Sequence, residues 1–246
     1  MNVAKFTLAI FVAVAASATV AMAQTAGGKQ ELSVEESYLQ ESIEVMVIRE
    51  QSRAESRDMK FVALEYIGDA IEGGRGSEEI QKALEYMAME GVLYQSREGG
   101  VGRLTNNYPD VRVKAATYLG QLGGEAAKDT LLKIVLADSE PMVLTEAIKS
   151  LSRIGLNEND ETASTISWIV TRFDILNPDN ALALAALDAY EALAVKNGGI
   201  KDASTIRTIM RIAEGPYIRP VQARARDVLV KLRQSGTQAN KDAQKK

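Results

Sequence analysis

The feature that most constrains this chain is internal repetition. Ala115-Ala116-Thr117-Tyr118-Leu119-Gly120-Gln121-Leu122-Gly123 reappears 32 residues later as Ala147-Ile148-Lys149-Ser150-Leu151-Ser152-Arg153-Ile154-Gly155. The small residue, the two large apolar residues and the closing glycine coincide, and Pro109 and Pro141 each precede the alanine by six positions. Looser copies follow at Ala186, Ala189, Tyr190 and Leu193, then at Val221, Ala225, Val228, Leu229 and Leu232. An earlier one runs Ala63-Leu64-Glu65-Tyr66-Ile67-Gly68. Between the copies lie further apolar sets at helical spacing: Ala127, Leu131, Ile134 and Val135; Ile166, Ile169, Val170 and Phe173; Ile206, Ile209, Met210 and Ala213. A unit of two helices recurring every thirty to forty residues cannot bury both apolar stripes alone, so neighbouring units must stack. The reading is an all-α, right-handed α-solenoid of antiparallel helix pairs. The alanines are small because helices approach closely there.

Residues 1–23 are set aside as a targeting segment. Lys5 is their only charge, Phe6 to Ala16 is an apolar run too short for a comfortable membrane span, and Ala21-Met22-Ala23 supplies a small-x-small cleavage pattern. Cleavage is expected between Ala23 and Gln24, giving a periplasmic or secreted protein with no membrane span after signal removal. Residues 24–56 are assigned to an N-terminal segment and capping helix. Ser33 and Glu36 form a capping-box start, with Leu39, Ile43, Met46 and Val47 on one face. The solenoid is placed at 57–233, as about five helix pairs. Residues 234–246, without a large apolar side chain, are expected to be a disordered tail.

The stretch Pro109-Asp110-Val111-Arg112-Val113-Lys114-Ala115-Ala116, followed by Leu119-Gly120-x-Leu122-Gly123, Leu131-Leu132, Leu136, Asp138, Pro141, Val143, Ala147, Leu151 and Ile154-Gly155, resembles the HEAT repeat family in its bilin-lyase-like variety. The resemblance implies an armadillo-like helical array serving as a protein-binding scaffold. Asp110 and Arg112 match the family's inter-repeat turn residues. Leu144 stands where a second arginine would, and no Asp-x-Arg precedes Ala186, so later turns should be less regular.

Composition removes most chemistry. The 246 residues contain no histidine and no cysteine, which excludes Ser-His-Asp and Cys-His arrangements, thiolate zinc sites and the His-Glu di-iron centres of HEAT-type hydroxylases. Export argues against a bilin-lyase role. Net charge −4 argues against nucleic-acid binding. No catalytic, cofactor or metal residues are therefore assigned. Gly73-Gly74-Arg75-Gly76-Ser77 is read as a helix stop and a new N-cap, not a phosphate loop. Glu158, Asp160 and Glu161 lack calcium-loop spacing and are read as ordinary loop acids.

What remains is binding, with other proteins as the expected partners. The candidates are Trp168, Arg172, Arg207 and Arg211. Trp168 is the only tryptophan and lies opposite the apolar stripe of its own helix. The resemblance puts second helices on the concave face, which makes Trp168 either a partner anchor or an inter-repeat packing residue. Residues 201–233 carry eight basic and three acidic groups, while 31–50 carry six acidic and one basic. The basic end is either a site for an anionic polymer or ligand, or a soluble cap. Lys133, Arg172 and Arg211 each precede a repeat alanine by 14 residues, as a basic row would. Aligning Ser164-Thr165-Ile166 with Ser204-Thr205-Ile206 instead sets Arg172 opposite Ile212. Residues 95–108, rich in glycine and asparagine, are a loop that is either functional or a plain insertion.

Overall fold

The computed structural model describes residues 33–243; the cleavage site and the residues before it lie outside this range. Residues 1–42 and 43–246 form separate compact units, and the architecture below is that of the second. Among the described residues there are ten α-helices: α1 Val34–Arg53, α2 Arg57–Glu72, α3 Glu78–Met89, α4 Pro109–Leu122, α5 Gly124–Ala137, α6 Pro141–Ile154, α7 Glu161–Leu176, α8 Asn180–Asn197, α9 Ala203–Glu214 and α10 Arg219–Ala243.

From α2 onward each helix packs on the helix two ahead of it. This gives one layer of α2, α4, α6, α8 and α10 and a second of α3, α5, α7 and α9, stitched mainly where α3 meets α4, α5 meets α4 and α6, α7 meets α8, and α9 meets α10. The arrangement is an all-α solenoid. Ala63, Ala115, Ala147, Ala186 and Ala225, the five repeat alanines, all fall in the first layer and are completely buried. Leu119, Leu151 and Leu193 are equally buried. Closeness is tightest at Gly120 of α4, where an added Cβ would stand 2.5 Å from the Cβ of Ser150 in α6. Nine of these helices, α2 to α10, make up the array, one short of five full pairs, and α10 closes it by packing on both α8 and α9.

Helix ends follow the sequence punctuation. Pro109 and Pro141 open α4 and α6, where a missing N–H and fixed φ do no harm. The glycine run ends α2, and Ser77 caps α3 by accepting from Ile80 N. Gly155 takes φ 80° after α6, a left-handed conformation. There the α6 carbonyls receive α8: Lys196 Nζ donates to Arg153 O at 2.7 Å and Asn197 Nδ2 to Gly155 O at 2.9 Å.

Two expectations change. On α1 the apolar face Leu39, Ile43 and Met46 is exposed; Ile48 and Ser52 are the buried positions, with Val45 half-buried. Hydrophobicity placed the larger stripe inward, but the side toward α2 is the one carrying Ile48 and Ser52, whose main-chain carbonyl accepts from Lys60 Nζ at 3.1 Å; Val47 of the expected stripe is half-buried. The tail expected from 234 is helical as far as Ala243.

Because the alanine contacts are closed on all sides, Ala115→Leu and Ala147→Leu should each destabilise by about 1–3 kcal/mol through overpacking. Leu119→Ala and Leu151→Ala should cost about 2–5 kcal/mol through cavities. Urea unfolding measures all four; midpoints equal to wild type would show that these positions are not core.

Candidate functional site: the second-layer face

The helices α3, α5, α7 and α9 follow one another and leave one side open to solvent. Large side chains on it are exposed: Leu136 on α5, Trp168 and Ile175 on α7, and Met210 on α9. Ile166, Ile169 and Val170 take the buried side of α7, which turns Trp168 outward at 47% exposure. The Arg172 guanidinium, one turn on, lies 5.6 Å from the Trp168 ring centre. Such a cation–π pair holds both side chains in place before any partner arrives.

The register between α7 and α9 is set by three side-chain contacts. Ser167 Oγ meets Thr205 Oγ1 at 3.1 Å, Thr171 Oγ1 meets Thr208 Oγ1 at 3.3 Å, and Arg211 Nε donates to Asp174 Oδ2 at 3.1 Å. Arg172 is thereby level with Ile209 and Met210, and neither alignment considered from sequence holds. The basic row does not form. Lys133 pairs with Glu85 of α3 at 2.9 Å, Arg211 pairs with Asp174, and Arg172 stacks on tryptophan. Of the four candidate residues, Trp168 and Arg172 are brought together. Arg207 is exposed one turn before Arg211, and Arg211 is committed to an acid.

The basic C-terminal end is largely answered inside the molecule. Arg224 reaches Asp188 at 2.6 Å and Glu191 at 2.7 Å, Lys231 reaches Glu191 at 2.5 Å, and Arg226 donates to Ala213 O at 3.1 Å. Lys231 and then Arg224 hold the Glu191 carboxyl below its ordinary range, against the opposing push of partial burial. Sequence reasoning summed these charges by segment and missed their partners on α8, which lie about 40 residues earlier.

The insertion between α3 and α4 is an ordered hairpin. Glu98 N donates to Arg103 O and Thr105 N to Ser96 O, and Arg97 and Leu104 form a bridge. Its base rests on buried charges. Lys60 Nζ contacts Glu90 Oε2 at 2.6 Å with both side chains buried, and Asn106 Nδ2 donates to Tyr94 O at 2.7 Å. Arg112, 2% exposed, donates through Nε to Asp138 Oδ2 at 2.7 Å and through its terminal nitrogens to Asn107 Oδ1 and Glu90 O. Asp138 in turn accepts from Ser139 N and Glu140 N at the α5–α6 turn. Asp110, at the preceding turn, pairs with Arg57.

The loop acids near 158 do not converge on a cation position. Asp160 Oδ1 accepts from Asn157 Nδ2, and Oδ2 accepts from the backbone N–H groups of Lys201 and Asp202. Among the described residues no cluster of three or more His, Cys, Asp or Glu is placed to hold a metal ion, and no helix is long and apolar enough to cross a membrane.

The repeat alanines in one layer, the alternating packing and the turn arginine set on the next turn's aspartate are now joined by a sequence comparison. The family described as HEAT repeats matches residues 102–167, from the hairpin through most of the first turns of α7. Over that stretch the chain is built of HEAT repeats. No curated protein and no solved structure matches it. The matched segment holds the buried Arg112–Asp138 link, and the helices beyond it extend the same packing without it. Leu144, fully buried, takes the place of a second arginine.

Glu191 carries a testable electrostatic consequence. A carboxyl depressed in the folded state contributes fully above its unfolded value near 4.3 and loses that contribution as pH falls through its folded value. Glu191→Gln should therefore lower stability by about 1 kcal/mol at pH 7 and flatten the loss of stability between about pH 5 and 3. Urea midpoints across that range measure it; parallel curves for variant and wild type would remove Glu191 from the coupling.

Proposed function

We propose that this chain is an exported, non-catalytic HEAT scaffold that holds a protein partner on its second-layer face. The observation that carries the reading is Trp168: a large aromatic side chain left half-exposed on an open row of helices and pre-oriented by Arg172. Tryptophan and arginine are the residue types most enriched where binding energy concentrates. Exposed Met210, Ile175 and Leu136 supply the adaptable apolar surroundings such an anchor needs. HEAT repeats commonly mediate protein interactions, which favours this reading over catalysis. Absence of histidine and cysteine from the sequence supports it as well. The Pro109-Asp110-Val111-Arg112 turn is what suggests the bilin-lyase-like variety of the repeat, and the Ala21-Met22-Ala23 pattern after an apolar run is what suggests export to the periplasm or beyond.

The alternative, an anionic polymer bound along the basic C-terminal repeats, is weakened by the acids already facing Arg211, Arg224 and Lys231. Cross-linked pull-down from the native envelope should recover a defined protein. Against that protein, Trp168→Ala should weaken binding by at least about 2 kcal/mol with an unchanged urea midpoint. A destabilised variant with normal affinity would assign Trp168 to packing. Arg207→Glu should slow association and reduce its salt dependence, whereas Arg211→Glu would set two carboxylates together and destabilise the fold. N-terminal sequencing of protein from the native host should begin at Gln24. A mature species beginning at Met1 would end the export proposal.

A further inference from the structure

A cleft of about 250 Å³ opens between the last turns of α1 and the first turns of α3, lined by Arg49, Ser52, Arg53, Glu79, Lys82 and Ala83. Ser52 and Ala83 are its buried floor. Arg49 and Arg53 stand one helical turn apart, so their side chains share one side of α1. Ser52 Oγ donates back to the Arg49 backbone carbonyl at 3.1 Å, and beside the cleft the Arg53 guanidinium lies 6.0 Å from the ring centre of Tyr86. Lys82 faces them from α3. Its partner is Glu78, one turn back, in a pair 61% and 74% exposed. A pair so open to water holds its lysine weakly.

Three cations thus line the cleft beside one carboxylate, Glu79. The contrast with the other end of the molecule is direct, since Arg211, Arg224 and Lys231 each face an acid across a helix boundary. Among the described residues Arg49 and Arg53 make no such ion pair. Compensation of the α1 C-terminal dipole explains a cation in the last turn, as at Arg53. It does not explain Arg49, which lies more than a turn inside, beyond the reach of that effect.

We infer that this cleft binds a small, multiply charged oxyanion of phosphate type. Guanidinium groups match phosphate oxygens with paired, charge-assisted hydrogen bonds, and an ammonium adds a compact charge from the opposite wall. The volume falls below the roughly 300–1,000 Å³ typical of organic-ligand pockets, so the occupant is a charged group of few atoms. The site is separate from the Trp168 face and stands or falls without it.

The probe is inorganic pyrophosphate, with inorganic phosphate as the less charged comparison, titrated calorimetrically into the mature chain at low salt. Pyrophosphate should bind once per chain, more tightly than phosphate. Arg49→Gln with Arg53→Gln should weaken it at least about tenfold, about 1.4 kcal/mol. Glu79→Gln should tighten it, and Arg207→Gln, in the C-terminal repeats, should leave it unchanged. No saturable binding to wild type, or equal binding by the double variant, overturns the inference. If the double variant loses helix content by circular dichroism, Lys82→Gln decides instead: weaker binding supports the site and unchanged binding overturns it.

Discussion

Everything in this molecule depends on how closely one first-layer helix can approach the next. The five repeat alanines have no exposed surface, and at Gly120 there is no room even for a methyl group beside Ser150. Close approach brings the flanking leucines into mutual contact and fixes the register of each helix on the helix two ahead. Nearest-neighbour packing of this kind propagates stability along the array and leaves its ends to be closed by other means. At the C-terminal end the means are ionic, with Glu191 of α8 gripping Arg224 and Lys231 of α10. At the other, α1 contributes Ile48 and Ser52 to the core and turns Ile43 and Met46 outward.

The irregular part of the array has a different logic. Burying Lys60, Glu90, Arg112 and Asp138 is costly, and such groups persist only where their hydrogen bonds are met. Here one network meets them: Glu90 answers Lys60 through its carboxylate and Arg112 through its carbonyl, while Asp138 answers Arg112 and two backbone N–H groups. The hairpin is held because Glu90 and Asn106, its two ends, belong to that network. An apolar Leu144 at the equivalent of Arg112 does without the network, and the connection leading into its helix, residues 138–140 between α5 and α6, is far shorter.

How far the sequence could be read follows from the range of each interaction. The repeats were legible because each is written within a dozen residues: proline at the start, alanine at the contact, glycine at the stop. The layers followed, since a two-helix period admits few stackings. Three things were not legible. The buried side of α1 is the one whose Ser52 main-chain carbonyl accepts from Lys60 of α2, a contact that apolar spacing does not record. The basic row failed by one or two residues of register, a quantity set by the Ser167–Thr205 and Thr171–Thr208 contacts and invisible to spacing. The C-terminal charge could be counted by segment, but the acids that pair with Arg211, Arg224 and Lys231 lie one repeat earlier and did not show in that count.

Those pairs change where function should be sought. Segment sums treat a charge as available wherever it occurs, but in a solenoid a charge at position n faces the helix two ahead or behind. Only a side chain that the neighbouring repeat leaves unanswered can act on a partner. Arg211 is answered by Asp174; Arg172 is answered only by the ring of Trp168, which is itself half-exposed. The same criterion separates Arg49 and Arg53 from Arg224. In a stacked array, therefore, binding residues are found by subtracting the contacts between repeats first, and on this molecule an aromatic–guanidinium pair on α7, exposed Arg207 on α9 and a guanidinium pair beside α3 survive the subtraction.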